Sequence, residues 1–217
     1  MFSQAIMSLL GSLFPKVKIA FKDQTPWMSW LCKLLWFDPT FATEYTTTVG
    51  NTVYFPSKHF IDVHPITSIV ILCHELTHIS DEQRYNPVLF GLLYLLPQIL
   101  VIPCIFLFWL ISWKFVLPLM LLCLLPWPAY FRTLFERRAY SVSLYAMNRL
   151  NQKGYNIDLQ AQKQSFLDYF TGSDYYWMGK FLPVEKDLDA ALITIQSGNK
   201  PFESDVFSKV DQLIDAI

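Results

Sequence analysis

Between Val88 and Pro128 the chain carries a single charge, Lys114, and no other feature constrains its fold so strongly. A run this long and apolar exceeds the usual buried core helix and suffices for two membrane passages. At 1.5 Å per residue, Val88 to about Phe108 would span roughly 31 Å, the thickness of a hydrocarbon core. The return leg, Phe115 to Pro128, is shorter, roughly 21 Å on the same rise, and is expected to lie nearly upright, snorkel at its ends or thin the bilayer. Pro97, Pro103, Pro118 and Pro126 are expected to kink both legs. Trp109, Trp113 and Lys114 then mark the far interface, and Trp127 and Tyr130 the near one. The competing arrangement is a greasy helical hairpin inside a soluble oligomer.

Composition points the same way. Hydrophobic residues make up 53% of the 217 residues and aromatic ones 17%, both high for a soluble domain. With 17 Lys and Arg against 18 Asp and Glu, no basic excess argues for a nucleic-acid partner. The length allows one buried core, alone or with an appendage. Cys32, Cys73, Cys104 and Cys123 form no C-x-x-C pair and read as small apolar residues of a reducing compartment.

Immediately before the apolar run lies Ile71-Leu72-Cys73-His74-Glu75-Leu76-Thr77-His78. In a helix, two histidines four apart share a face and can hold one tetrahedral metal ion. Glu75 follows the first of them, where a carboxylate reaches the metal-activated water without being a ligand. Cys73 adjoins His74 but points about 100° away around the helix, so it is not expected on the metal. Histidines at this spacing also occur by chance on ordinary helices. Here Ile66, Ile69, Val70, Leu72, Leu76 and Ile79 make the helix apolar nearly all round, so polar groups buried in it need compensation that a metal supplies. Pro65 suits its first turn, the helix should reach about Gln83, and Asn86-Pro87 breaks it.

A catalytic zinc takes three protein ligands and keeps an open fourth position. His59 and His64 precede the helix in loop-like sequence and read as surface or capping residues, with His64 a reserve ligand. Glu136, expected to open a helix running to about Leu150, is the better third ligand; its competing role is a solvated partner of Arg132.

The His74-Glu75-x-x-His78 motif, an intervening apolar hairpin and Glu136 in a second helix resemble the gluzincin metalloproteases. The likeness is to the integral-membrane HtpX and CAAX-prenyl endopeptidase family, and covers roughly Thr46 to Arg149. It implies Zn²⁺ held by His74, His78 and Glu136, Glu75 as general base, and hydrolysis of peptide bonds. One position departs. Family members commonly carry an aspartate four residues after the glutamate ligand, orienting a histidine; here that residue is Tyr140, and Asp81 or Glu82 are the substitutes in reach.

One ion cannot be shared across a bilayer, so the apolar run must cross an even number of times or not at all. Arg84, Arg132, Arg137 and Arg138 flank it against Lys114 at its tip, which places the catalytic side in the cytoplasm by the positive-inside rule.

Four regions result. Residues 1–40 hold apolar or interfacial helices, including the Trp-rich run Trp27 to Phe37, which also suits a core helix. The opening run lacks the basic start and cleavage site of a signal peptide. Residues 41–86 carry a β-hairpin, with Glu44 to Val49 and Thr52 to Phe55 turning at Gly50-Asn51, and the histidine helix. The edge of strand Thr52 to Phe55 could align an extended peptide. Residues 87–130 form the transmembrane helical hairpin, and 131–217 the second ligand helix and soluble helices over Asp158–Tyr169, Val184–Gln196 and Glu203–Ala216. Tyr140, Tyr175 and Tyr176 are candidate donors to a reaction oxyanion, each also a plausible packing residue.

The expected fold is mainly α with a small β-hairpin, a minimal zincin-like catalytic domain interrupted by a transmembrane helical hairpin. The expected function is a membrane-anchored zinc endopeptidase acting on a peptide or protein substrate, membrane-associated ones included. The alternative is a non-catalytic membrane scaffold with a structural or vestigial zinc site, which a fourth ligand such as His64 or Cys73 would favour.

Overall fold

The computed structural model describes residues 2–34, 36, 40–96, 98–107, 110–124, 129–172 and 182–217. In chain order it runs α1 (Phe2–Leu13), β1 (Lys18–Phe21), α2 (Pro26–Leu34), α3 (Thr40–Thr43), β2 (Thr47–Val49), β3 (Thr52–Phe55), α4 (Lys58–Val63) and α5 (Pro65–Tyr85). There follow α6 (Pro87–Leu95), a 3₁₀ turn (Gln98–Leu100), α7 (Val101–Leu107), α8 (Trp113–Leu124), α9 (Tyr130–Gln152), α10 (Leu159–Thr171), α11 (Val184–Gln196) and α12 (Val206–Asp215). The chain is thus mainly helical with one small three-stranded sheet.

It groups into two compact units. The first takes residues 1–80, 142–157 and 202–217, the second residues 81–141 and 158–201.

In the first unit, α1 buries Ile6 and Leu10, one turn apart, so the opening segment acts as a core helix. In α2, Met28 is fully buried while Trp27 and Trp30 are exposed, Trp27 meeting the edge of Tyr54 at 5.3 Å. Leu35 and Phe37 of the Trp-rich run lie outside the described residues.

The expected hairpin is present. β2 and β3 pair antiparallel with Thr48 opposite Val53, and Gly50 in the turn takes φ +58°, which a glycine adopts without strain. Val53 and Phe55 are buried while Thr52 and Tyr54 are only partly so, the period-2 pattern of a strand covered mainly on one face. The sheet contains a third strand the sequence reading did not anticipate. β1 pairs parallel to β3, Ile19 opposite Val53, so the order is β1-β3-β2. Thr52 to Phe55 is therefore the central strand, and the expectation that its edge receives a substrate is overturned: its backbone groups are taken on both sides. Four residues, Lys-Ile-Ala-Phe, with no turn signal carry no local mark of a strand. Parallel pairing is set by the partner.

The histidine helix α5 is buried through Ile69, Leu72, Leu76 and Ile79, as its apolar pattern requires. α12 buries Val206, Val210 and Leu213 along one stripe, and Tyr145 of α9 rests edge-on against Phe207 at 4.9 Å.

The second unit holds the apolar run, which among the described residues is divided into α6, the 3₁₀ turn, α7 and α8. Asn86 ends α5 at φ +74°, a region asparagine tolerates, and its side chain accepts from the Val88 N–H at 3.0 Å to cap α6. α6 then stops at Leu95. Leu96, extended at ψ 141°, precedes Pro97, whose ring bars the helical conformation from the residue before it. The next helical stretch, Gln98–Leu107, leaves at 94° to α6. α8 has 12 residues, about 18 Å long, against about 30 Å of hydrocarbon. Among the described residues no single helix is long and apolar enough to cross a membrane. Val88, Leu92, Ile105, Phe106, Phe115 and Leu121 are exposed, an amount of outward apolar surface that marks contact sites in proteins.

α9 starts at Tyr130, so Glu136 lies inside the helix rather than opening it. Beyond it, α10 is capped by Asp158, whose carboxylate accepts from the Gln160 and Ala161 N–H groups. Ion pairs Arg137–Asp187 and Lys163–Asp189 tie α11 to α9 and α10.

At the start of the first unit, the Ser3 N–H donates to Asp62 Oδ1 at 2.8 Å, and this hydrogen bond chiefly holds the Asp62 carboxyl down to about 2. A folded-state value below the ordinary one stabilises at higher pH. The α1–α4 tie is therefore expected to be complete above pH about 4 and lost as the pH falls through about 2. Acid titration followed by hydrogen exchange of α1 should show that slope in the wild type and a flatter one in Asp62→Asn.

Candidate metal centre

The residues of the motif meet as the helical spacing requires. His74 and His78 lie one turn apart on α5, their Nε2 atoms 3.2 Å from each other and their rings edge to face at 5.0 Å. Two nitrogens bound to one tetrahedral zinc at 2.0–2.1 Å would stand about 3.3 Å apart, so this approach fits a shared ion. Glu136 completes the group. His74, His78 and Glu136 each offer a ligand atom, all within 4.8 Å of one another, a candidate metal-binding triad. Two imidazoles and a carboxylate form a donor set suited to a borderline divalent ion.

His74 and Glu136 are each backed by a further polar group. The hydroxyl of Ser143 lies 3.4 Å from His74 Nδ1, the nitrogen pointing away from His78. An Nδ1–H donated to this oxygen fixes the tautomer that leaves Nε2 free to ligate. Ser143 is seven residues after Glu136, two turns along the same face of α9, and is buried. It stands at a position from which a hydroxyl can orient His74, a role the sequence had offered to Tyr140, Asp81 or Glu82. Asp81 is buried and paired with Arg138 at 3.1 Å. Burial raises the Glu82 carboxyl above the usual carboxylate range.

The ring of Tyr140 lies among aromatic residues of α10, 4.4 Å from Phe166 and 5.5 Å from Phe170. Tyr175 and Tyr176 lie outside the described residues. His64 caps the end of α4 and meets the Phe60 ring at 5.3 Å, the capping role expected of it. His59 is exposed. Cys73 is fully buried, and burial pushes its thiol up to about 12, so it offers no thiolate at neutral pH. Neither His64 nor Cys73 belongs to the cluster found among the described residues.

Glu75, next to the first ligand, is buried and accepts a hydrogen bond from the Thr48 hydroxyl at its Oε2, 2.7 Å away. The hairpin thus reaches the site through Thr48 in β2. The carboxylate of Glu136 accepts a hydrogen bond from the Tyr94 hydroxyl, which comes from α6 within the apolar run. Sequence reasoning missed Thr48, Tyr94 and Ser143. Only Ser143 had a detectable signal, its i+7 spacing from Glu136.

No family model matches the chain, and comparison with curated proteins and with solved structures finds no match either.

If the Ser143 hydroxyl orients His74, Ser143→Ala should weaken metal binding about 10-fold, the lower end for loss of a ligand's hydrogen-bond partner. Chelator competition on purified protein measures it, and α9 should stay intact because alanine is at least as good a helix former.

Proposed function

We propose that the chain is a membrane-anchored zinc-dependent endopeptidase, with Zn²⁺ held by His74, His78 and Glu136. The observation that carries this reading is the pairing of a three-donor triad with a fourth, non-ligating carboxylate, Glu75, one residue from the first ligand and oriented by Thr48. Three protein donors leave a coordination position for substrate, where a structural site is usually closed by four.

When bound, the ion supplies a Lewis acid that acidifies water and polarises a carbonyl oxygen. Glu75, with Oε2 held by Thr48, receives the water proton at its other oxygen as the water oxygen bonds to the scissile carbonyl carbon. It then returns that proton to the amide nitrogen as the C–N bond breaks, leaving a carboxylic acid and an amine. Its protonation cycle closes without any further acid. Ser143 keeps His74 in one tautomer throughout. Tyr140 and Tyr175 are carried as candidate donors to the oxyanion.

The exposed apolar side chains of α6–α8 support a lipid-facing anchor, and the near-neutral charge supports no nucleic-acid role. The resemblance to the HtpX and CAAX-prenyl endopeptidase family agrees with both parts of this reading.

Zinc analysis and a general proteolysis assay on three proteins test it. Glu75→Gln should keep about one zinc and lose turnover by about 10²–10⁴-fold, the usual contribution of a general base. Glu136→Ala should lose most of its zinc. Wild-type turnover in Glu75→Gln would defeat the mechanism. Full zinc without turnover in the wild type would favour the scaffold.

A further inference from the structure

Helix α6 presents two different faces. Val88, Leu89, Leu92 and Leu95 are exposed, whereas Phe90 and Tyr94, four apart and therefore on one face, turn towards α9. Phe90 meets Phe135 with ring centres 4.7 Å apart and Tyr94 at 5.8 Å. Tyr94 is held at three points by α9. Its hydroxyl donates to Glu136 Oε1, its carbonyl accepts from Arg132 Nε at 3.0 Å, and the Arg132 guanidinium lies 5.1 Å from its ring centre. Arg132 and Glu136 are themselves four apart on α9, so one turn of that helix grips one tyrosine. The helix holding this tyrosine ends one residue later, with Leu96 extended as its cap.

We propose that Tyr94 is a positioning residue for the metal ligand Glu136, and that metal loading and the seating of α6 on α9 stabilise each other through it. The inference rests on the metal-centre reading. A carboxylate rotates about its last bond and offers two equivalent oxygens. A phenol bonded to Oε1 removes that choice and would leave Oε2 for the ion. Without it, Glu136 must lose its rotational freedom at the moment of binding, which weakens the metal. Coupling between two events is reciprocal, so an ion that binds better when α6 is seated must also hold α6 in its seat. The apolar run, so far only an anchor, then becomes part of the site's structural support.

The test uses the full chain in detergent micelles with four proteins: wild type, Tyr94→Phe, Tyr94→Gln and Glu136→Ala. Zinc affinity is read by chelator competition, ligand geometry by the visible bands of the cobalt-loaded protein, and α6 protection by hydrogen exchange with and without zinc. Tyr94→Phe keeps the ring against Phe90 and Arg132 and removes only the donor. It is expected to bind zinc 10–100-fold more weakly, to change the cobalt bands, and to lose the protection that zinc confers on α6. Tyr94→Gln, which restores a donor, should recover part of the affinity, an outcome that a purely packing role would not produce. If Glu136→Ala loses zinc while Tyr94→Phe keeps wild-type affinity, cobalt bands and zinc-dependent protection, the positioning role is wrong and the metal centre stands. If Glu136→Ala binds zinc like the wild type, the metal centre falls and this inference with it.

Discussion

The buried position of the triad is the constraint on which the other polar contacts depend. His78 and Glu136 are buried and His74 is half-buried, on helices whose inward positions are mostly apolar. Polar groups taken out of water must be given partners or they destabilise the fold by several kcal/mol. The partners are visible around the site. Ser143 stands behind His74, Tyr94 behind Glu136, and Thr48 on Glu75. Each contact comes from a different element, and each limits the rotation of a group that chemistry would need held still.

Thr48 gives the small sheet a purpose beyond covering α5. It lies on β2, an outer strand, while β3 in the centre takes hydrogen bonds from both neighbours. The alternation along β3 buries Val53 and Phe55, and pairing of β2 with β3 then sets the register that carries Thr48 to Glu75. A one-residue slip would turn Thr48 to the opposite face. The turn at Gly50-Asn51 thus bears on the carboxylate through strand register.

Much of this was readable from the chain alone, and the misses share a cause. The two histidines, the following glutamate and the hairpin turn depend on spacing within four residues, and helical or turn geometry converts such spacing directly into space. Glu136 was readable as a candidate ligand from chemical type, though its helix proved to begin earlier, at Tyr130. β1 was not readable, because a short parallel strand owes its conformation to a partner more than thirty residues away. The break in the long leg of the apolar run was legible from Pro97, which was expected to kink it. Summed hydropathy measures how a segment partitions but is blind to a single local clash, and Leu96 before Pro97 ends α6 whatever the hydropathy.

By itself the sequence determined the candidate metal donors, the face of α5 that His74 and His78 share, and the apolar character of the run between His78 and Glu136. These follow from helical periodicity and side-chain chemistry, which need no knowledge of distant neighbours. Only the tertiary structure decided which residues steady those donors. Thr48, Tyr94 and Ser143 are 27, 42 and 69 residues from the groups they contact, a separation at which pairing is set by how whole helices and strands settle against one another.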